Sequence, residues 1–136
     1  ISNEVYFIKS AGFGSILDLS NNYIENNILS FNLNNNAYLY KFFFSYNNLS
    51  YFNFKEIYRF NFMMQLDISF NSLSILEKSE IFTSNSFQIL NFCSNQISFI
   101  EENFFDFFYK TFDLNLSKNK LKSLSVSLFG KMHVLK

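Results

Sequence analysis

The sequence has one cysteine, Cys93, and one histidine, His133. A thiol beside an imidazole base could act as a nucleophile, and both side chains are zinc ligands. These two residues are far apart in the chain, and one thiol with one imidazole does not make a structural zinc site. Asp18 and Asp67 are also far apart, and no glycine-rich phosphate loop is present. We therefore expect no enzymatic activity, no metal and no cofactor.

Asparagine recurs at a nearly constant spacing. Intervals of 25, 24, 24 and 24 residues separate Asn22, Asn47, Asn71, Asn95 and Asn119. With each of these asparagines written as n, apolar residues stand at n−5, n−3 and n+2, as Leu66, Ile68 and Leu73 do around Asn71. The alternation predicts a strand with one buried face, and the asparagine marks the place where the chain must turn. Five such units in a row predict a solenoid of stacked coils.

The pattern resembles the leucine-rich repeat, L-x-x-L-x-L-x-x-N-x-L. Residues 39–49 match it almost position for position, with Phe42 and Phe44 in two of the leucine places, and residues 17–22 and 114–119 are typical versions of it. The resemblance implies an α/β fold: a curved solenoid with parallel strands on the concave face and short helical or 3₁₀ turns or loops on the convex face. The 24-residue period is similar to that of the subclass common in cell-surface receptors and secreted matrix proteins.

Residues 1–136 are predicted to form one leucine-rich repeat domain, with about five repeats, partial repeats at both ends and no cap seen. The repeats span roughly 14–38, 39–62, 63–86, 87–110 and 111–134. Projecting the period outwards puts Ile8 at n+10 of an earlier repeat and Leu135 at n−8 of a following one. We therefore expect the chain to be a fragment of a longer solenoid.

The second halves of the repeats carry apolar residues near n+5, n+10 and n+13. Short helical turns are predicted near 77–82 and 101–105, where acidic residues come first and suit the helix dipole. In the third repeat Ser84 stands where an apolar residue is expected. Either Phe82 or Phe87 could cover that gap.

The five asparagines are interpreted as a structural ladder: Asn22, Asn47, Asn71, Asn95 and Asn119. An asparagine side chain has both donor and acceptor groups, and it can bond backbone groups that a tight corner leaves unpaired. The alternative is a set of catalytic or glycosylated asparagines. We favour the ladder because one periodic, buried role explains all five.

Residues that alternate with the inward ones are expected on the concave face, the usual binding surface of a solenoid. The candidate ligand-binding residues are those at n−4 and n−1, namely Asp18, Phe43, Tyr46, Asp67, Phe70, Asn91, Ser94, Asn115 and Lys118. The n−2 residues are all small, so Cys93 is interpreted as a replacement for serine. Phe43, Tyr46 and Phe70 are predicted to form an exposed aromatic cluster beside Asp67, and aromatic residues often anchor interfaces. The alternative is that a phenylalanine-rich composition, of the kind an AT-rich genome produces, placed them there.

Composition limits the classes of partner. The formal net charge is zero and only 16% of residues are charged, which argues against a nucleic-acid-binding surface. No apolar run is long enough to span a membrane. A single cysteine excludes an internal disulfide framework, and no signal peptide is seen in this window.

Protein–protein or other macromolecular recognition through the concave face is the predicted function, within a receptor or adhesion ectodomain at the cell surface. The alternative is an intracellular, cytoplasmic scaffold or regulatory domain. Two possible N-glycosylation sites occur, at Asn48 and Asn115, each followed by leucine and serine. Glycan at Asn48 would indicate passage through the secretory pathway, and glycan at Asn115 would obstruct the concave face.

Overall fold

The structure, a computed structural model, describes residues 8–9, 15–25, 38–57, 60–78 and 86–136. The strands are β1 (Ile8–Lys9), β2 (Ser15–Asp18), β3 (Leu39–Phe43), β4 (Gln65–Asp67), β5 (Ile75–Leu76), β6 (Ile89–Asn91), β7 (Phe99–Ile100) and β8 (Asp113–Asn115). Three short 3₁₀ helices follow strands: η1 (Phe54–Glu56), η2 (Phe104–Phe107) and η3 (Val126–Phe129).

The chain is a parallel-strand solenoid, of which about three turns are described nearly throughout. One sheet has the order β1-β2-β3-β4-β6-β8, and β5 and β7 form a second, two-stranded parallel sheet. From β2 to β8 the neighbours in this sheet are parallel, with Phe42 opposite Leu66 and Leu66 opposite Leu90, and the register shifts by one residue only between Ser15 and Ile16 of β2. Each strand of the large sheet therefore opens one coil, and coils 1 to 5 are numbered here by their asparagines, from Asn22 to Asn119.

One face of the large sheet forms the core, as the alternation predicted. In coil 3, Leu66, Ile68 and Leu73 are fully buried, and the residues at the same positions of coils 1, 2 and 4 are also buried. In coil 5 the equivalent Leu114, Leu116 and Leu121 are only partly buried. Because parallel coils cover one another, the coils with a described neighbour on each side bury their apolar residues best.

The second halves of the coils close the core with apolar residues. Ile57 and Phe60 in coil 2, and Phe105 and Phe108 in coil 4, lie at n+10 and n+13 and are buried. The helical turn predicted near 101–105 overlaps η2, the 3₁₀ helix at Phe104–Phe107. Most of the turn predicted near 77–82 lies outside the described residues, and so do Ile81, Phe82 and Ser84. Phe87, the other candidate for covering the gap in the third repeat, is buried and its ring lies 5.5 Å from that of Phe108.

The two ends of the described chain differ in how they follow the repeat period projected from the sequence. Ile8 was projected into the second half of an earlier coil, but it lies in β1, paired antiparallel with β2 opposite Leu17. Period alone cannot distinguish a further parallel coil from a strand that folds back on the sheet edge. At the other end, the Lys136 backbone N–H donates to the Phe112 carbonyl oxygen at 3.2 Å. The Gln88 N–H donates to the Met64 carbonyl oxygen in the same way, at 2.8 Å, so Leu135 and Lys136 occupy the register of a following strand.

Candidate ligand-binding face

The asparagines form a hydrogen-bonded ladder at the corner of the coils. The Asn71 Oδ1 accepts from the Leu49 N–H at 3.0 Å, and its Nδ2 donates to the Phe44 carbonyl oxygen at 3.0 Å, both in the preceding coil. The same Nδ2 also lies within hydrogen-bonding distance of the carbonyl oxygens of Ile68 and Ser69 in its own coil.

The pattern repeats at the other ladder positions. Asn47, Asn95 and Asn119 make the corresponding bonds to the coil before and to their own coil. Asn22 donates to Leu19 and Ser20 of its own coil. These side-chain groups hold the corner together and are therefore not offered to a ligand.

The residue before each ladder asparagine has a left-handed backbone conformation. The φ angles at n−1 are positive in every coil, at 58° for Asn21, 56° for Tyr46, 53° for Phe70, 54° for Ser94 and 54° for Lys118. Glycine and asparagine adopt this conformation readily, whereas bulky residues adopt it at a cost. The candidate residues Tyr46, Phe70, Ser94 and Lys118 thus stand at one strained backbone position, which the corner imposes.

Two of these residues form an exposed aromatic pair. The rings of Tyr46 and Phe70 are stacked, with centroids 4.1 Å apart and planes 8° apart. Tyr46 is 51% exposed and Phe70 is 39% exposed. Phe43, the third member of the predicted cluster, is half-buried at the end of β3. The stacked pair therefore presents apolar area at the end of the strands where the corner begins.

The n−4 side chains have a role that the sequence reasoning missed. Asp67 Oδ1 accepts from the Ser69 N–H at 2.9 Å and from the Ser69 hydroxyl at 2.6 Å. Asp18, Asn91 and Asn115 bond the backbone N–H two residues later in the same way. This is an Asx turn, in which a short side chain stabilises the bend that follows it. Four of the five candidate residues at n−4 therefore stabilise the corner, and phenylalanine at position 43 has no side-chain oxygen with which to do so.

Neighbouring coils are also linked along the n−4 and n−2 columns. Asn91 Nδ2 donates to Asp67 Oδ2 at 3.0 Å, and the Ser45 hydroxyl donates to that of Ser20 at 3.1 Å. The Ser117 hydroxyl donates to Cys93 Sγ at 3.2 Å. That bond, and then the contact with Ser94, lower the pKa of the Cys93 thiol. Cys93 thus occupies a serine position in a ladder of small polar residues.

A groove lies at the opposite ends of the strands from this corner. It has a volume of about 700 Å³ and its walls include Ile16, Tyr38, Tyr40, Lys41, Phe62 and Lys110. None of these residues was among the candidates, since the sequence reasoning considered only n−4, n−2 and n−1. Strand alternation places n−6, the position of Ile16 and Lys41, on the same side as n−4. Extending the alternation two residues backwards would therefore have found part of this strand-entry groove.

Both possible glycosylation sites are exposed, but they differ in surroundings. Asn48 stands one residue after the ladder, and its backbone N–H donates to the Ile24 carbonyl oxygen at 3.1 Å. Asn115 lies in β8, with its Oδ1 bonded to the Ser117 N–H at 3.0 Å. A glycan is attached through Nδ2, so one on Asn115 would leave the Oδ1 bond of the Asx turn intact but would stand among the n−4 side chains of the large sheet.

No family model and no curated protein matches this chain. In the described ranges no helix has the length and apolar character needed to cross a membrane. The same residues contain no group of three or more histidine, cysteine or acidic side chains that could hold a metal ion.

Proposed function

We propose that the chain is a leucine-rich repeat domain that binds a protein or another macromolecule through the open face of its large sheet. That face carries the side chains at n−6, n−4, n−2 and n−1, which the core does not use. The proposal takes this face as concave and the helical or looped second halves of the coils as convex. It assigns these residues a binding role and no catalytic step.

The observation that carries the proposal is an uncovered sheet face with aromatic residues at both ends of its strands. Its n−6 and n−4 side chains are exposed or half-buried in all five coils. Tyr46 and Phe70 are exposed at one end of the strands, and Tyr38 and Phe62 are exposed at the other. Exposed apolar area on a folded domain often marks a contact site, and aromatic residues with a polar rim are typical anchors of interfaces.

A selection experiment tests the binding role. The full chain would be presented with displayed libraries of peptides and folded domains and with a glycan array, and each binder retested against two pairs of substitutions. Tyr46→Ser with Phe70→Ser changes the face, whereas Phe99→Ser with Val126→Ser changes exposed residues elsewhere. We expect binders that lose at least tenfold in affinity with the first pair or with changes in the strand-entry groove. Binders that respond only to the second pair would contradict the proposal.

We further propose that the domain belongs to a receptor or adhesion ectodomain at the cell surface; an intracellular scaffold is the alternative. The exposed position of Asn48, one residue after the ladder and away from the n−4 side chains, is what favours the first. Mass spectrometry of the natural protein tests it. Glycan at Asn48 supports the ectodomain, and an unmodified Asn48 in protein from its natural cell supports the scaffold.

A further inference from the structure

The strand-entry groove runs across the beginning of the strands, from β2 to the residues just ahead of β8. Its walls are formed by Ile16 in β2, Tyr38 and Lys41 at the start of β3, Phe62 and Met64 just ahead of β4, Ser86 and Gln88 just ahead of β6, and Lys110 just ahead of β8. At about 4.8 Å between parallel neighbours, four intervals give a length of roughly 19 Å. A groove of this length and this shallow form fits an extended chain better than a compact small molecule.

The middle of the groove is apolar and aromatic. The rings of Tyr38 and Phe62, from consecutive coils, lie 5.4 Å apart with planes tilted by 36°. Their exposed fractions are 54% and 58%, and Tyr40 and Ile16 beside them are also exposed. Removal of such side chains from water is the ordinary driving force for binding an apolar segment.

The charges in the groove walls are both positive. Lys41 lies in β3, three residues after Tyr38, and Lys110 lies at the β8 end of the groove, with its Nζ 5.6 Å from the centre of the Tyr109 ring. The groove wall between the two lysines is formed by Phe62, Met64, Ser86 and Gln88. No described carboxylate makes an ion pair with either lysine. On the same face, Asp18 and Asp67 stand at the opposite ends of their strands and are bonded in Asx turns, while Asp113 lies in β8 outside the groove walls.

We propose that the strand-entry groove binds an extended peptide segment with apolar side chains in its middle and carboxylate side chains near both ends. Lys41 and Lys110 are separated by three coil intervals across the sheet, roughly 14 Å, and by three residues along the strand direction, roughly 10 Å, so they lie roughly 17 Å apart, which an extended chain covers in about five residues. The two acidic residues of the ligand are therefore expected about five positions apart, with apolar residues between them. This inference rests on the proposed binding function and names the ligand class for it.

The test uses fluorescein-labelled synthetic peptides of about eight residues, long enough to cover the groove at about 3.3 Å per residue. One peptide has two glutamates flanking an apolar core, a second has lysines in their place, and a third has the glutamates adjacent. Binding to the full chain is followed by fluorescence anisotropy at low and high salt. We expect the first peptide to bind at least tenfold more tightly than the other two, and to weaken as salt screens its charges.

Matched variants locate the site. Lys41→Gln with Lys110→Gln, and separately Phe62→Ser, should each weaken the first peptide at least tenfold. Lys122→Gln and Phe99→Ser change an exposed lysine and an exposed phenylalanine outside the groove and should leave its binding unchanged. Lys110 and Phe62 are exposed, so the changes leave the core intact, and circular dichroism of each variant verifies folding.

Equal binding of the three peptides, no binding of any of them, or equal losses in the groove and control variants would overturn the inference. The proposed function fails separately, when selected binders are insensitive to every change on the open face. If selected binders depend on Tyr46 and Phe70 while the glutamate peptide does not bind, the proposed function stands and the inference about the groove is rejected.

Discussion

The ring of Phe54 in coil 2 lies 5.2 Å from the ring of Phe104 in coil 4, edge to face at 77°. The two coils are not neighbours, so Phe54 extends past coil 3 within the core. It also contacts Phe52 of its own coil and Phe92 and Phe108 of coil 4. Phe54 therefore joins coils that the sheet connects only through β4.

Phe54→Ala should destabilise the chain strongly, because it removes a buried ring and the contacts it makes with coil 4. Phenylalanine-to-alanine changes in a core cost about 3–5 kcal/mol. Phe62→Ala is the matched control, since that ring is mostly exposed, and it should cost less than about 1 kcal/mol. Urea denaturation followed by circular dichroism measures both. Equal costs for the two variants would show that Phe54 does not connect the coils as described.

Asn71→Ala should cost more than Asn22→Ala. The first removes bonds to the Leu49 N–H and the Phe44 carbonyl oxygen in the preceding coil, whereas the bonds of Asn22 to described residues lie within its own coil. Buried backbone groups left unpaired cost about 1–3 kcal/mol each. The same denaturation experiment compares the two, and hydrogen exchange at Leu49 reports on the exposed N–H. Unchanged protection of that amide in the Asn71 variant would contradict the prediction.

Lys118→Asn should stabilise the chain. Lys118 has a φ of 54° and is exposed, and asparagine adopts the left-handed region at less cost than lysine. The expected gain is about 1 kcal/mol. Lys122→Asn is the control, because the φ of Lys122 is not positive, and no gain is expected there. Thermal melts measure the stability of both variants. A gain at position 122 as large as that at position 118 would show that the left-handed backbone is not the cause of the gain.

Phe43→Asp should give coil 2 the Asx turn that the other coils have. In coil 3 the equivalent Asp67 accepts from the Ser69 N–H at 2.9 Å, and the corresponding donor in coil 2 is the Ser45 N–H. A new hydrogen bond of this kind is worth about 0.5–1.5 kcal/mol. Phe43→Leu removes the ring without adding an acceptor and serves as the control. Denaturation midpoints should rise for aspartate relative to leucine; the reverse order would show that the corner of coil 2 does not accept this turn.

The thiol of Cys93 should react faster with iodoacetamide near neutral pH than an ordinary cysteine of equal exposure. Hydrogen bonds from Ser117 and then Ser94 lower its pKa, so more thiolate is present at a given pH. Ser117→Ala removes the larger of these effects and should move the midpoint of the rate–pH profile upwards. Ser125→Ala, an exposed serine elsewhere, should leave the profile in place. A midpoint insensitive to Ser117 would rule out the bond as the cause.

The repeating part of the structure could be predicted because it depends on local pattern. Leu66 and Ile68 alternate with polar residues and Leu73 follows the turn at Asn71, and the same spacing in each coil predicts both the buried columns and the register. The asparagine positions were predictable for the same reason, since they interrupt the alternation at a constant period. These features depend only on the residues of one coil and on the equivalent residues one period away.

Other features depend on geometry that the pattern does not contain. The left-handed backbone at Phe70 could not be predicted from its residue type, because phenylalanine disfavours it. The contact of Phe54 with Phe104 joins coils two periods apart, and β1 pairs antiparallel where the period projected another coil. The strand-entry groove was missed for a different reason: Tyr38 and Phe62 lie before the strands begin, outside the consensus positions that were compared.

The asparagine ladder has a consequence for how the molecule can change in length. Each of Asn47, Asn71, Asn95 and Asn119 completes the bend of the coil before it with the same two bonds. After loss or duplication of one whole 24-residue unit, each asparagine would therefore meet backbone groups equivalent to those it now bonds. No backbone group at the junction would lose its hydrogen-bond partner. Shorter insertions at the corner itself would break these bonds, whereas the extra residue between Asn22 and Asn47 leaves the bonds of Asn47 intact. Genes for such chains can thus grow or shrink by recombination in whole modules without loss of the ladder.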